Sequence, residues 1–219
     1  MSKDNVVFYS CIVNGRDKPK IIEFKENFRY VLFSDKKYSS PDWEVLPIVK
    51  NFDDPVRTAR FHKHNPFLLF PNCEYAIWLD GSHWPISSIS SFLKNDFCLM
   101  RHFSRTSVFQ EVEECRRLRI DVDTIMKNQY DSYIQDGFLD TIGLYDTCFM
   151  IRKNTNKIVN MQKMWWDQIC QWSKRDQISL PYVLWKCNIE PFIVPGHTRF
   201  KGNSYFRMIS HNKKFRKIM

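Results

Sequence analysis

Residues Tyr75-Ala76-Ile77-Trp78-Leu79 form an apolar run that stops abruptly at Asp80-Gly81-Ser82. A continuous apolar pentamer suits a strand buried on both faces of an α/β sheet, where ligands bind beyond the carboxyl ends of the strands. A carboxylate directly behind Ile77, Trp78 and Leu79 needs water, a cation or hydrogen-bond donors to meet it. Asp-Gly is also a frequent turn pair, so the run alone admits an ordinary strand-ending turn.

The pattern on either side favours the sheet. Val6–Ile12 reads as a buried strand feeding the loop Asn14-Gly15-Arg16-Asp17, and Tyr30–Phe33 as a second strand ending in Ser34-Asp35. Trp43–Ile48 is a third. Asp54-Pro55 marks a helix start, with the aspartate as N-cap and proline at the first helical position, and the helix runs to about His64. Arg57, Arg60 and His64 share a face of it by their i, i+3 and i+7 spacing. A short helix over 87–94, a strand over Phe97–Met100 and helices over 106–117 and 123–136 follow. Then come a strand over Thr147–Ile151, a helix over 157–172, and another from Ser173 or Lys174 to about Lys186. Alternating strands and helices predict an α/β fold with an open, mostly parallel central sheet flanked by helices. The predicted strand ends, Asn14 to Asp17, Asp35, Asp80 and Arg101-His102, are strongly polar, as a ligand crevice requires.

At 219 residues and 43% hydrophobic content the chain is expected to be one domain over 1–219. Its 16% aromatic content excludes a disordered protein. No apolar run is long enough to span a bilayer, and Val6–Val13 reads as a first strand rather than a signal peptide. The seven cysteines contain no C-x-x-C pair, which argues against zinc and for buried, reduced thiols in a cytoplasmic protein. The net charge of +9 suggests an affinity for phosphate as nucleic acid, anionic lipid or nucleotide. No recognisable nucleic-acid module and no hydrolase motif is present.

Four stretches in series carry a resemblance. They are Arg57-Thr-Ala-Arg60-Phe-His-Lys63-His64-Asn-Pro66 with Ile77-Trp78-Leu79-Asp80-Gly81; Arg101-His102-Phe-Ser-Arg105 with Glu111 and Glu114; Tyr133-Ile-Gln-Asp-Gly137-Phe138 with Gly143-Leu144 and Phe149-Met-Ile-Arg152; and Trp165-Trp166 with Arg175-Asp176-Gln177-Ile-Ser179 and Tyr182-Val-Leu-Trp185-Lys186. Together they cover about residues 55–187, and the chain resembles the glycosyltransferase-like domain of plant mucilage and cell-wall biosynthesis proteins and of bacterial glycosyltransferase-domain proteins.

The resemblance implies a single Rossmann-like domain of the GT-A type and a hexosyltransferase-like activity. The co-substrate would be a nucleotide diphosphate sugar, expected to be a UDP-sugar, and the acceptor a saccharide or other hydroxyl. Asp80 matches the strand-end acid that holds Mn²⁺ or Mg²⁺ in this fold. It stands alone here, because position 78 is Trp and position 82 is Ser, with His211 as the candidate second ligand. Arg57, Arg60 and Lys63 could neutralise the diphosphate instead. Asp176-Gln177 resembles a pair that meets the donor sugar, although Ser173-x-x-Asp176 also fits a helix cap. His102, Arg105 and Arg175 are candidates to line the pocket, and Asn14 and Asp35 to meet the nucleoside. A catalytically silent glycan- or nucleotide-binding relative and a basic nucleic-acid-binding module are the alternatives. No nucleic-acid partner is expected, and the basic tail Lys213–Lys217 could make weak contact with a membrane surface.

Overall fold

A computed structural model describes residues 5–199 and 202–208. The strands are β1 (Val6–Ile12), β2 (Arg29–Ser34), β3 (Glu44–Pro47), β4 (Tyr75–Leu79), β5 (His83–Pro85), β6 (Phe97–Arg101), β7 (Tyr145–Lys153), β8 (Phe192–Ile193) and β9 (Phe206–Met208). The helices are α1 (Pro55–His64), α2 (Pro66–Leu69), α3 (Val108–Arg117), α4 (Asp123–Gln135), α5 (Asn156–Gln171) and α6 (Asp176–Lys186). The expected strands β1 and β4 and helix α1 have the bounds read from the sequence. The helix expected over 87–94 shrinks to a single 3-10 turn, Ser90–Phe92.

Seven strands form the central sheet in the order β3-β2-β1-β4-β7-β6-β8. All run parallel except β7, which is antiparallel to both β4 and β6. The fold is therefore the mostly parallel, Rossmann-like α/β sheet that was expected, with one strand reversed. From β1 the chain winds outward to β2 and β3, then returns through α1 to β4 on the other side of β1. That reversal makes the carboxyl ends of β1 and β4 the topological switch point, where open α/β sheets bind ligands.

Alternate side chains of the strands fill two cores. Val7, Tyr9, Val31, Ala76 and Trp78 pack beneath α1, α5 and α6 through Ile158, Met161, Trp165 and Leu180. Phe8, Leu32, Tyr75, Ile77 and Leu79 face Trp43, Phe92 and Phe206 instead, so that side is covered by loops and by β9. The helices α3 and α4 lean on α6 through a third cluster that includes Val112, Met126, Tyr133 and Ile178. Helix α1 starts as its sequence dictates: Asp54 accepts a hydrogen bond from the Val56 N–H at 2.8 Å, with Pro55 behind it. No helix among the described residues is long and apolar enough to cross a membrane. The cysteines are free thiols, but not all are buried as expected: Cys170 is exposed, and Cys148 and Cys187 are half-buried.

Candidate active site

Asp80 ends β4 at the switch point. Its N–H donates to the Cys148 carbonyl at 2.9 Å, prolonging the β4–β7 pairing by one residue. Glycine follows because nothing larger fits: a Cβ at Gly81 would lie 2.8 Å from Ile12 Cγ1 and 3.7 Å from Asp17 Cβ. The Asn14–Asp17 loop is thereby seated against the Asp80 turn. Asn14 and Asp35 also meet at this edge, where the Asn14 N–H donates to both carboxylate oxygens of the exposed Asp35, at 3.0 and 2.9 Å.

The Asp80 carboxylate accepts from the Trp78 indole at 2.7 Å and lies 3.5 Å from Lys63 Nζ. Its side chain is 29% exposed, so part of it faces solvent. Burial would raise its pKa, but Lys63, Arg60 and His83, with the Trp78 indole, outweigh burial and hold the carboxyl below its usual range.

Lys63 is the centre of the arrangement. With its side chain only 1% exposed, it sets its ammonium 2.7 Å from Asp176 Oδ2 as well as 3.5 Å from Asp80. The approach to Asp176 is off the hydrogen-bonding directions, which makes it an ion pair rather than an aligned hydrogen bond. Asp176, at the first position of α6 and fully buried, also has Arg60 at 3.1 Å and His64 Nε2 at 3.4 Å. Its burial acts to raise the pKa, yet Arg60, Lys63 and His64 together hold it well below the carboxylate range. Burial pushes the His64 imidazole down to about 3, against the pull of Asp176, so it is neutral at physiological pH. The α6 N-terminus does not use the cap that the sequence allowed. Its N-cap is Arg175, with no side-chain bond, and the Ser173 hydroxyl donates to Asp121 at 2.7 Å.

Lys63 is fixed from behind by Arg152 of β7. This guanidinium is fully buried and has no carboxylate among its partners. It donates to the Lys63 carbonyl at 2.6 Å, to Gln162 Oε1 at 2.9 Å and to the Tyr9 hydroxyl at 2.7 Å, while Tyr9 itself donates to the same Lys63 carbonyl. Replacing a buried charge by an apolar side chain of similar volume is often close to neutral for stability. Arg152→Met is therefore expected to change unfolding free energy by no more than about 1 kcal/mol in a denaturant titration. The same variant should weaken stabilisation by a nucleoside diphosphate at least tenfold in apparent Kd. A stability loss of about 3 kcal/mol or more would make Arg152 a structural pin only.

The other residues singled out in the sequence have different partners. Arg57 shares a helix face with Arg60 but donates to the Ile169 and Trp172 carbonyls at the end of α5. Arg105 and Arg175 both bind the buried Glu111, at 2.6 and 2.8 Å. His102 Nδ1 accepts the Arg105 N–H at 2.9 Å and stabilises its own turn; burial and Arg105 lower its pKa to about 4. Gln177 donates to the Tyr145 carbonyl at 3.0 Å. The structure thus gathers Asp80, Lys63, Arg60 and Asp176, and leaves Arg57, His102, Arg105, Arg175 and Gln177 tied to protein groups. His211 and the tail Lys213–Lys217 lie outside the described residues.

Asp146 escaped the sequence reading. The reversed β7 brings it to the carboxyl end of β4, past an irregular register between Cys98 and Met100. Buried there, it accepts the Cys148 N–H at 2.9 Å and the Thr198 hydroxyl, while the Thr198 carbonyl faces His83 Nε2 at 3.1 Å. The nearest signal was an acid breaking an otherwise apolar strand, and it becomes informative only once the strand direction is known.

A divalent cation fits these side chains poorly. Among the described residues no three His, Cys, Asp or Glu groups gather closely enough to hold a metal ion. Asp80 would be a single ligand, with Lys63 already beside one of its oxygens.

The match to known proteins agrees with the order of motifs along this edge. A family model described as TOD1/MUCI70, glycosyltransferase-like domain, matches residues 1–195. The chain belongs to this family. It is 25% identical over 158 residues to a protein named probable hexosyltransferase MUCI70 from Arabidopsis thaliana, a match covering 64% of this chain and 27% of that protein. The TOD1/MUCI70-type domain here thus spans about a quarter of the length of that curated relative. Among solved structures, core-mannan synthase A from Aspergillus fumigatus, in a Mn/GDP form, aligns over 82% of this chain and 69% of its own, at 9% identity and a TM-score of 0.39. So loose a superposition carries no weight beside the sheet order itself.

Proposed function

We propose that this domain transfers a sugar, of hexose type, from a nucleotide diphosphate sugar to a saccharide or other hydroxyl acceptor at the carboxyl ends of β1 and β4. The observation that carries the reading is the sharing of one buried ammonium, Lys63, between Asp80 and Asp176 beside Arg60 at the topological switch point. Breaking the bond between the anomeric carbon and pyrophosphate develops negative charge on the leaving group and oxocarbenium character on the sugar. Preorganised cations at the first and a carboxylate at the second stabilise that charge separation.

In this reading Arg60 and Lys63 face the diphosphate and Asp80 faces the sugar. Asp176 holds the two cations rather than touching substrate. Asp35 and the Asn14–Asp17 loop are proposed to meet the nucleoside. A metal, if the donor brings one, would use Asp80 and phosphate oxygens. No step depends on it, because the two cationic side chains already supply the neutralisation.

The test is thermal unfolding with uridine, guanosine and adenosine diphosphates, each with and without Mn²⁺. A ligand at a hundredfold its Kd stabilises by about 2.7 kcal/mol. The uridine or guanosine form should do so and the adenosine form should not, and a panel with no shift would remove the reading. A shift that survives chelation assigns the charge neutralisation to Lys63 and Arg60, whereas one that needs Mn²⁺ returns Asp80 to a ligand's role.

A second reading has one observation behind it. Asp176 is neutralised within the protein and Asp80 is partly so, which suits a catalytically silent binder. It predicts the same nucleotide shift without any release of nucleoside diphosphate from the sugar donor.

A further inference from the structure

On the opposite flank of Asp80 from the nucleoside loops, the segment that follows β8 is anchored to the site. Thr198 is buried, and its hydroxyl donates to Asp146, whose other oxygen accepts the Cys148 N–H; the Cys148 carbonyl in turn accepts the Asp80 N–H. The neighbours of Thr198 are therefore held next to the site. Arg199 sets its guanidinium 4.7 Å from the centre of the Phe103 ring, and the His197 ring lies 6.0 Å from it. Phe103 is 45% exposed, a large aromatic face left in solvent beside a polar strand end. Among the described residues Arg199 makes no ion pair. The chain from 196 to 219 holds seven Lys and Arg and no Asp or Glu.

From these observations we infer that Phe103 and Arg199 form the acceptor subsite and that the acceptor carries a negative charge, a carboxylate or a phosphate, on or next to the sugar ring that stacks on Phe103. An aromatic face offers the apolar side of a pyranose a flat surface to cover. A guanidinium over its edge presents a planar fork that matches carboxylate and phosphate geometry, and with no acid beside it that fork keeps its charge for a ligand. The division is spatial as well: the loops after β1 and β2 lie on one side of Asp80, and Phe103, after β6, and Arg199 on the other, separated by β7. Donor and acceptor would then meet over Asp80. The inference rests on the transferase reading above, since it names what that site glycosylates.

The test measures direct binding, by calorimetry at low salt with the nucleoside diphosphate present, to a hexuronate tetrasaccharide, its neutral methyl ester and a phosphorylated disaccharide. The acid should bind at least tenfold more tightly than the ester, and the phosphorylated arm then tells whether phosphate is read as well. Arg199→Gln should close the gap between acid and ester, and Phe103→Ala should weaken both to a similar extent. Equal binding of acid and ester, no binding of either charged saccharide, or a gap that survives Arg199→Gln would overturn the subsite. Stabilisation of the wild-type protein by nucleoside diphosphate alone, measured alongside, separates the two claims: its presence without any preference for acid removes only the subsite, and its absence removes the reading beneath it.

Discussion

Asp176→Asn is expected to lose about 3–5 kcal/mol of folding stability at neutral pH, because it strands buried cations rather than a surface charge. Lys63, 1% exposed, would keep only the Asp80 oxygen at 3.5 Å, and Arg60 would lose its one carboxylate. The sequence alone suggests that this substitution leaves the fold intact, as for any acid at a helix start; the complete burial of Asp176 changes that expectation. The pH dependence carries a second signature. The folded Asp176 carboxyl is held well below the ordinary value of 3.8 by Arg60, Lys63 and His64, overcoming burial. A depressed carboxylate contributes stability that is fully present above its unfolded value and is lost as pH falls towards its folded one. The gap between wild type and variant should therefore be constant above about pH 5, begin to shrink near 3.8 and keep narrowing in stronger acid. Urea titrations at pH 7, 5, 4 and 3 would measure it, and a variant as stable as wild type at pH 7 would dismiss the buried ion-pair cluster.

Asp80→Asn should behave in the opposite way. The amide oxygen can still accept from the Trp78 indole, Lys63 retains Asp176 at 2.7 Å, and the side chain is partly open to water. The thermal midpoint should move by no more than a few degrees, corresponding to about 1 kcal/mol for a single exposed charge pair. Transfer of sugar from the nucleotide donor should fall by roughly a hundredfold or more, the usual scale for removing one preorganised electrostatic group from a reaction centre. Steady-state release of nucleoside diphosphate, with and without a hydroxyl acceptor, reads this directly. Turnover close to wild type would take Asp80 out of the chemistry, and a collapse in stability would make it a fold-holding acid like Asp176.

Much of the edge on which these residues sit could be read locally. Tyr75–Leu79 declares its strand by five apolar residues in succession, and Asp54-Pro55 declares the start of α1 by chemistry that needs no partner elsewhere. Asp80 was exposed to notice because a charge next to three buried side chains is costly unless something compensates it. The same reasoning could not separate Arg57 from Arg60. Both lie on one face of α1 by spacing, yet one reaches the carbonyls that end α5 and the other reaches Asp176. Gln177 and Arg175 flank Asp176 in sequence, but one turns to Tyr145 and the other to Glu111. Asp146 looked like a residue inside a strand, and the direction of that strand made it a neighbour of the site.

The boundaries of strands and helices, and the polar character of the strand ends, follow from interactions among residues a few positions apart, so the chain carries them in its local pattern. Which charges meet which is a matter of contacts between residues far apart in the chain, Lys63 with Asp80 and Asp176, Arg152 with the Lys63 carbonyl, Thr198 with Asp146. Those depend on the order and direction in which the strands are laid down, above all on the reversal of β7, and a Coulomb interaction that varies with distance and burial has no value until that packing exists.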